Sequence, residues 1–142
     1  MTINERQEAL IDDFEFFSEW EEKYKYIIDL GKDLPLISEE FKTEENIIRG
    51  CQSKVWLHVD YKDGKLFFTA DSDALITKGL VGMVVDVLSG HTPQEIVEAQ
   101  IYFIDKIGLK NHLSPTRSNG LLSMLKQIKM YAVAYLSKSL QS

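Results

Sequence analysis

Cysteine is nearly absent: the 142 residues hold one, Cys51. A single sulfur closes no internal disulfide, and it falls short of the thiolate set that an iron–sulfur cluster or a structural zinc takes. Basic residues are outnumbered, 16 against 22 acidic, and the net charge of −6 disfavours nucleic acid or an anionic membrane as the main partner. The excess acid lies mainly before residue 50. No apolar run approaches the ~20 residues of a spanning helix. Met1 to Ala9 lacks the basic stretch and apolar core of a secretory signal. A cytoplasmic protein is expected, and an unpaired thiol agrees with a reducing compartment. His58, His91 and His112 are scattered without ligand spacing, so no metal site is expected. What remains is an ordinary globular composition, 44% hydrophobic and 27% charged, of a length that fits one domain over residues 1–142.

Leu10, Phe14 and Phe17 at i, i+4 and i+7 predict a first amphipathic helix. Ser18 and Glu21 have the spacing of a capping box, ahead of a second helix with Trp20, Tyr24, Ile27 and Ile28 as its buried stripe. Gly31 and Pro35 end it, and Pro35 to Asn46 reads as polar turn. From Val55 to Tyr61 apolar and polar residues alternate, and Asp63-Gly64 is a two-residue hairpin signal. That turn places Tyr61 opposite Leu66, Val59 opposite Phe68 and Leu57 opposite Ala70, all on one apolar face. Trp56, Phe67 and Thr69 make the second face, which a helix is expected to cover. Ile47 to Arg49 form a short strand or lead-in.

Asp71-Ser72-Asp73 resembles an N-cap cluster before a helix, Ala74 to Leu88, that is apolar on nearly every side and therefore central. Gly79 and Gly82 inside it point to close backbone packing. Thr92-Pro93 with Glu95 starts a short helix, Tyr102 to Ile107 a further turn, and Ser114-Pro115 the last helix, with Leu121, Leu125, Ile128, Ala132 and Tyr135 at helical spacing. The fold expected is α+β: one domain with a small antiparallel β-sheet packed against several α-helices.

Three segments stand out together: Ile48-Arg49-Gly50-Cys51-Gln52-Ser53-Lys54-Val55-Trp56, then Asp71-Ser72-Asp73-Ala74 through Lys78-Gly79-Leu80, then Leu113-Ser114-Pro115-Thr116-Arg117-Ser118-Asn119-Gly120-Leu121. In this order and spacing they resemble the SufE family (SufE/CsdE-like), and the likeness runs from about Asp12 to Tyr131. The resemblance implies a sulfur acceptor that partners a cysteine desulfurase of the SufS or CsdA kind in iron–sulfur cluster assembly. It implies that Cys51 takes sulfane sulfur as a persulfide, stimulates the desulfurase and passes the sulfur to a scaffold complex. It also implies that Arg117 is the family's arginine near the thiol. The pyridoxal phosphate belongs to the partner, so no cofactor is expected here, and no turnover by the chain alone. A monomer and a homodimer both fit.

The residues also carry a reading of their own. In thiol–persulfide exchange a thiolate attacks the outer sulfur of the donor, so one accessible cysteine suffices. Arg49, Arg117 or the helix end near Asp73 are placed to stabilise the anion, opposed by Asp71 and Asp73. Lowering a thiol pKa from about 8.5 to about 6.5 raises the thiolate fraction roughly tenfold at pH 7.5, but a Brønsted slope of ~0.4–0.5 removes most of the gain. Positioning is the stronger lever, and Gly50 is expected to give the loop its mobility. Arg49, Gln52, Ser53, Asp71 and Asp73 are the expected partner contacts, although Asp71 and Asp73 also read as N-caps. His58 and His91 read as structural, while the neighbourhood of His112 places it within reach of Arg117. A rival class is a single-cysteine thiol peroxidase or redox sensor, whose Cys51 is oxidised and then resolved by an outside thiol.

Overall fold

A computed structural model describes residues 1–50 and 53–141, with side chains through Lys138. The hairpin sets the frame. Asp63 (φ 53°) and Gly64 (φ 79°) both take the left-handed conformation that a two-residue primed turn requires. They join β1 (Val55–Lys62) to β2 (Lys65–Ser72), and the predicted register follows: Tyr61 opposite Leu66, Val59 opposite Phe68, Leu57 opposite Ala70. Val55, Leu57, Leu66, Phe68 and Ala70 are buried on one face.

The outward amides of β2 are taken by the rest of the chain. Leu66 N donates to His91 O (2.9 Å), Phe68 N to Ser89 Oγ (2.9 Å) and Ala70 N to Pro35 O (3.0 Å). Pro35 to Ile37, expected as plain turn, therefore runs beside β2, with Leu36 bridged to Ala70. The remainder of that stretch forms two 3-10 turns, Glu39–Phe41 and Glu44–Asn46. On the other strand Ile48 N donates to Val55 O (2.8 Å), so the lead-in forms.

The buried sheet face is covered by α3 (Leu75–Leu88), whose residues from Gly79 to Val85 are all buried. α2 (Trp20–Gly31) crosses it at Gly79, with Gly31 and Ile27 against that glycine. A Cβ on Gly79 would lie 2.0 Å from Ile27 O, and one on Gly31 3.0 Å from Gly79 N, so the two backbones touch. α1 (Ile3–Glu15) buries Leu10, Ile11 and Phe14. Its Gln7 is fully buried and satisfied: Oε1 accepts from Tyr102 N (2.8 Å) and Phe103 N (3.2 Å), and Nε2 donates to Gln100 O (3.0 Å). α4 (Pro93–Glu98) carries the expected Thr92/Glu95 capping box, and α5 (Phe103–Ile107) ends at Gly108 (φ 86°). α6 (Pro115–Gln141) buries Leu121, Met124, Ile128 and Ala132. Its Lys129 Nζ donates to Ile96 O (2.7 Å), Val97 O (3.2 Å) and Ala99 O, closing the C-terminus of α4. The result is the α+β architecture expected: among the described residues, six α-helices around a two-stranded antiparallel sheet.

Three local expectations are corrected. α2 starts at Trp20 with Glu19 as N-cap and no side-chain cap bond, so Ser18 and Glu21 form no box. β2 runs on through Asp71 and Ser72, and α3 is entered through Ala74 without a side-chain cap. Asp71 and Asp73 are thus not N-caps. The second sheet face is covered by a turn instead of a helix: Phe41 stacks on His58 (3.8 Å between ring centroids), Lys42 Nζ lies over Trp56, and Phe67 stays 40% exposed.

Candidate functional site

Cys51 and Gln52 lie outside the described residues, so the site is read from what flanks them. On the N-terminal side Gly50 takes φ 92°, a conformation that side chains rarely adopt, and a Cβ there would lie 2.9 Å from Ser123 Oγ of α6. On the C-terminal side Thr77 Oγ1 of α3 lies 3.5 Å from Ser53 Oγ, the limit of a hydrogen bond. Lys54 is tied to Asp73 in both directions, its N–H donating to Asp73 Oδ1 (3.1 Å) and its carbonyl accepting from Asp73 N (3.3 Å). Val55 then enters the sheet. The described flanks of the cysteine therefore lie close against α6 at Gly50 and are bonded to the entry of α3 at Ser53 and Lys54.

Between α3 and α6 beside Val55 lies a small, mostly apolar cavity of about 20 Å³. Val55 supplies one wall, Thr77, Leu80 and Val81 of α3 a second, and Thr116, Arg117, Gly120, Leu121 and Met124 of α6 the third. Arg117 is exposed and reaches this cavity because Pro115 starts α6 only two residues earlier, with Ser114 Oγ accepting from Arg117 N (3.2 Å). Arg117 and Thr77, the partner of Ser53, thus share one cavity, which brings the second of the three sequence segments to the third.

Asp71 stands apart on the other sheet face. Its carboxylate meets Lys42 Nζ (2.8 Å) and Lys78 Nζ (3.5 Å) and accepts from Ser72 N (2.8 Å). Burial pushes its pKa up, but the Lys42 bond, the Ser72 amide and the two cations outweigh this and hold it below the ordinary carboxylate value. The same bond to Asp71, then that to Glu39, raises Lys42. The negative charge expected to oppose a thiolate is thus offset locally. Asp73 is taken up by the Lys54 backbone. Arg49 is exposed and faces α6, lining a groove with Lys126 and Met130. His112 does not join Arg117: it stacks on Trp20 at 3.7 Å between centroids, and its carbonyl accepts from the Tyr24 hydroxyl. Thr77 and Ser123 escaped the sequence reading, since each sits within a helical pattern with nothing to mark a tertiary partner.

The class that fold and site define is matched by comparison with known proteins. The chain belongs to the SufE family: the family model described as the SufE Fe–S metabolism associated domain matches residues 8–132. An uncharacterized SufE-like protein of Rhizobium meliloti is 46% identical over 130 residues, covering 88% of this chain and 93% of that protein. A second, from Rhizobium etli, is 46% identical over 127 residues and covers 86% of each chain. The solution structure of a hypothetical protein from Thermus thermophilus superposes with a TM-score of 0.77 over 93% of this chain and 96% of that one. At 19% identity that likeness shows the fold alone. Among the described residues no helix is long and apolar enough to cross a membrane.

Proposed function

We propose that this protein is a sulfur acceptor: Cys51 takes sulfane sulfur from a pyridoxal-phosphate-dependent cysteine desulfurase, raises its turnover and delivers the sulfur for iron–sulfur cluster assembly. The observation that carries the reading is the SufE family match spanning the lone cysteine. The flanks on either side of it, packed close to α6 at Gly50 and bonded to the entry of α3 at Ser53 and Lys54, support a chemistry that needs one well-placed thiol. In the transfer, the Cys51 thiolate attacks the outer sulfur of the donor persulfide. A new S–S bond forms at Cys51, the old one breaks, and the donor's thiolate leaves and is protonated from solvent. Arg117, on the cavity beside Val55, supplies positive charge toward the anion, while Gly50 and Ser53 flank the thiol against α6 and α3.

Mass spectrometry after incubation with a cysteine desulfurase and cysteine tests this. A gain of about one sulfur mass on Cys51, absent in Cys51→Ser, is expected. Rapid peroxide consumption with no sulfur uptake points instead to the thiol peroxidase class and overturns the proposal. Arg117→Ala is expected to slow uptake by less than about tenfold, because thiolate fraction and nucleophilicity offset each other.

A further inference from the structure

We propose that the exposed face of α6 beside the cysteine segment is a docking surface for the sulfur-donating enzyme, and that it takes a protein patch with an apolar centre and a carboxylate rim. The inference rests on the sulfur-acceptor reading for the identity of the partner and on the surface for its chemistry. Leu122, Lys126, Met130 and Val133 recur at i, i+4, i+8 and i+11, off the buried stripe. Leu122, Met130 and Val133 are 45%, 55% and 50% exposed. Large apolar residues at helical spacing on the solvent side have no role in the core and mark an interaction face.

Charge gives the face its direction. Residues 115–141 hold no Asp or Glu in a chain of net charge −6, and on this face Lys126 stands with Arg49 across the groove from it. Among the described residues Arg49 and Lys126 form no ion pair, whereas Lys42, Lys78 and Arg6 are each matched to a carboxylate. Unmatched cations around exposed apolar side chains complement an acidic rim, and in an acidic protein they fix the orientation of approach. Two copies meeting through this same face would set cations against a helix that offers no Asp or Glu to match them, which disfavours a symmetric dimer here.

Continuity with the site completes the argument. A groove runs between Ile47, Ile48 and Arg49 on one side and Ser123, Lys126 and Met130 on the other. Ser123 lines it, and its Oγ lies 2.9 Å from where a Cβ on Gly50 would sit. A partner seated on α6 therefore reaches the residue next to Cys51.

The test is titration of the full-length protein with a SufS-type cysteine desulfurase, using wild type, Lys126→Glu and Met130→Glu, with Lys106→Glu as a distant exposed control. The two α6 variants are expected to weaken binding by roughly tenfold or more, and added salt to weaken the wild type. Lys106→Glu binds as wild type, and all variants keep the wild-type melting temperature and sulfur uptake from inorganic polysulfide. Binding by both α6 variants within about twofold of wild type overturns the docking face while sulfur acceptance stands. So does a wild type that binds no desulfurase, or variants that alter only self-association or binding to anionic vesicles. If binding is lost in the variants but wild-type Cys51 never gains sulfur, the docking face stands and the sulfur-acceptor reading falls.

Discussion

Gly50→Ala isolates what the cysteine segment owes to its backbone. At φ 92° an alanine pays about 1–2 kcal/mol for a conformation that clashes with its Cβ. The Cβ also meets Ser123 Oγ at 2.9 Å, and since a hydroxyl can turn away, this adds about 0.5 kcal/mol that Ser123→Ala returns. Against a domain stability of about 5–15 kcal/mol the variant folds, with a melting temperature about 3–8 °C lower. If the chain instead relaxes at Gly50, the adjacent Cys51 shifts, and a displacement of about 1 Å costs up to ~100-fold in rate. Sulfur uptake from the desulfurase is therefore expected to fall roughly ten- to hundredfold. Gly64→Ala is the control: φ is 79° with nothing within 4 Å of the new Cβ, at the hairpin turn at the opposite end of β1 from Val55. It should lose comparable stability in thermal unfolding and none of the uptake. A Gly50→Ala protein that takes up sulfur at the wild-type rate, or that loses no stability, refutes the argument.

Gly79→Ala places a methyl 2.0 Å from Ile27 O, a backbone atom that cannot rotate away, so a loss of about 3 kcal/mol or more is expected in urea unfolding. Lys129→Met strips the carbonyls of Ile96, Val97 and Ala99 of a charged donor and should cost about 1.5–3 kcal/mol by the same measurement. His91 gives a pH dependence. Burial pushes its pKa below the ordinary 6.5, only partly opposed by Glu95. The unfolded chain then binds the extra proton between the depressed value and 6.5, so stability is full above about pH 6.5 and declines as pH falls through the folded value. Denaturant midpoints taken from pH 7.5 to 5 should show that decline, and His91→Leu should flatten it.

The hairpin was legible because Asp63-Gly64 permits one turn geometry, and that turn fixes every pair along β1 and β2. The Thr92/Glu95 cap was legible for the same reason, a local signal with a local partner. Ser18 and Glu21 carried an equally good signal that failed. Phe17 packs on Tyr26 (5.2 Å between centroids) and the helix begins at Trp20, one residue too late for Glu21 to reach the N3 position. Asp71 and Asp73 misled because their partners come from elsewhere in the chain, the Lys42 and Lys78 ammonium groups and the Lys54 backbone. At the candidate site Gly50 and Arg117 were visible in their motifs. Ser123 and Thr77 were not, since a serine on a long helix or a threonine in an apolar one gives no sign of what lies across from it.

The hydrogen bonds that His91, Ser89 and Pro35 make to β2 have a further consequence. With the amides of Leu66, Phe68 and Ala70 already satisfied, that margin of the sheet cannot recruit an extended peptide from another molecule. Recognition by strand addition is closed to it, and so is chain-to-chain stacking of hairpins. Whatever this protein meets along that margin, it must meet through side chains.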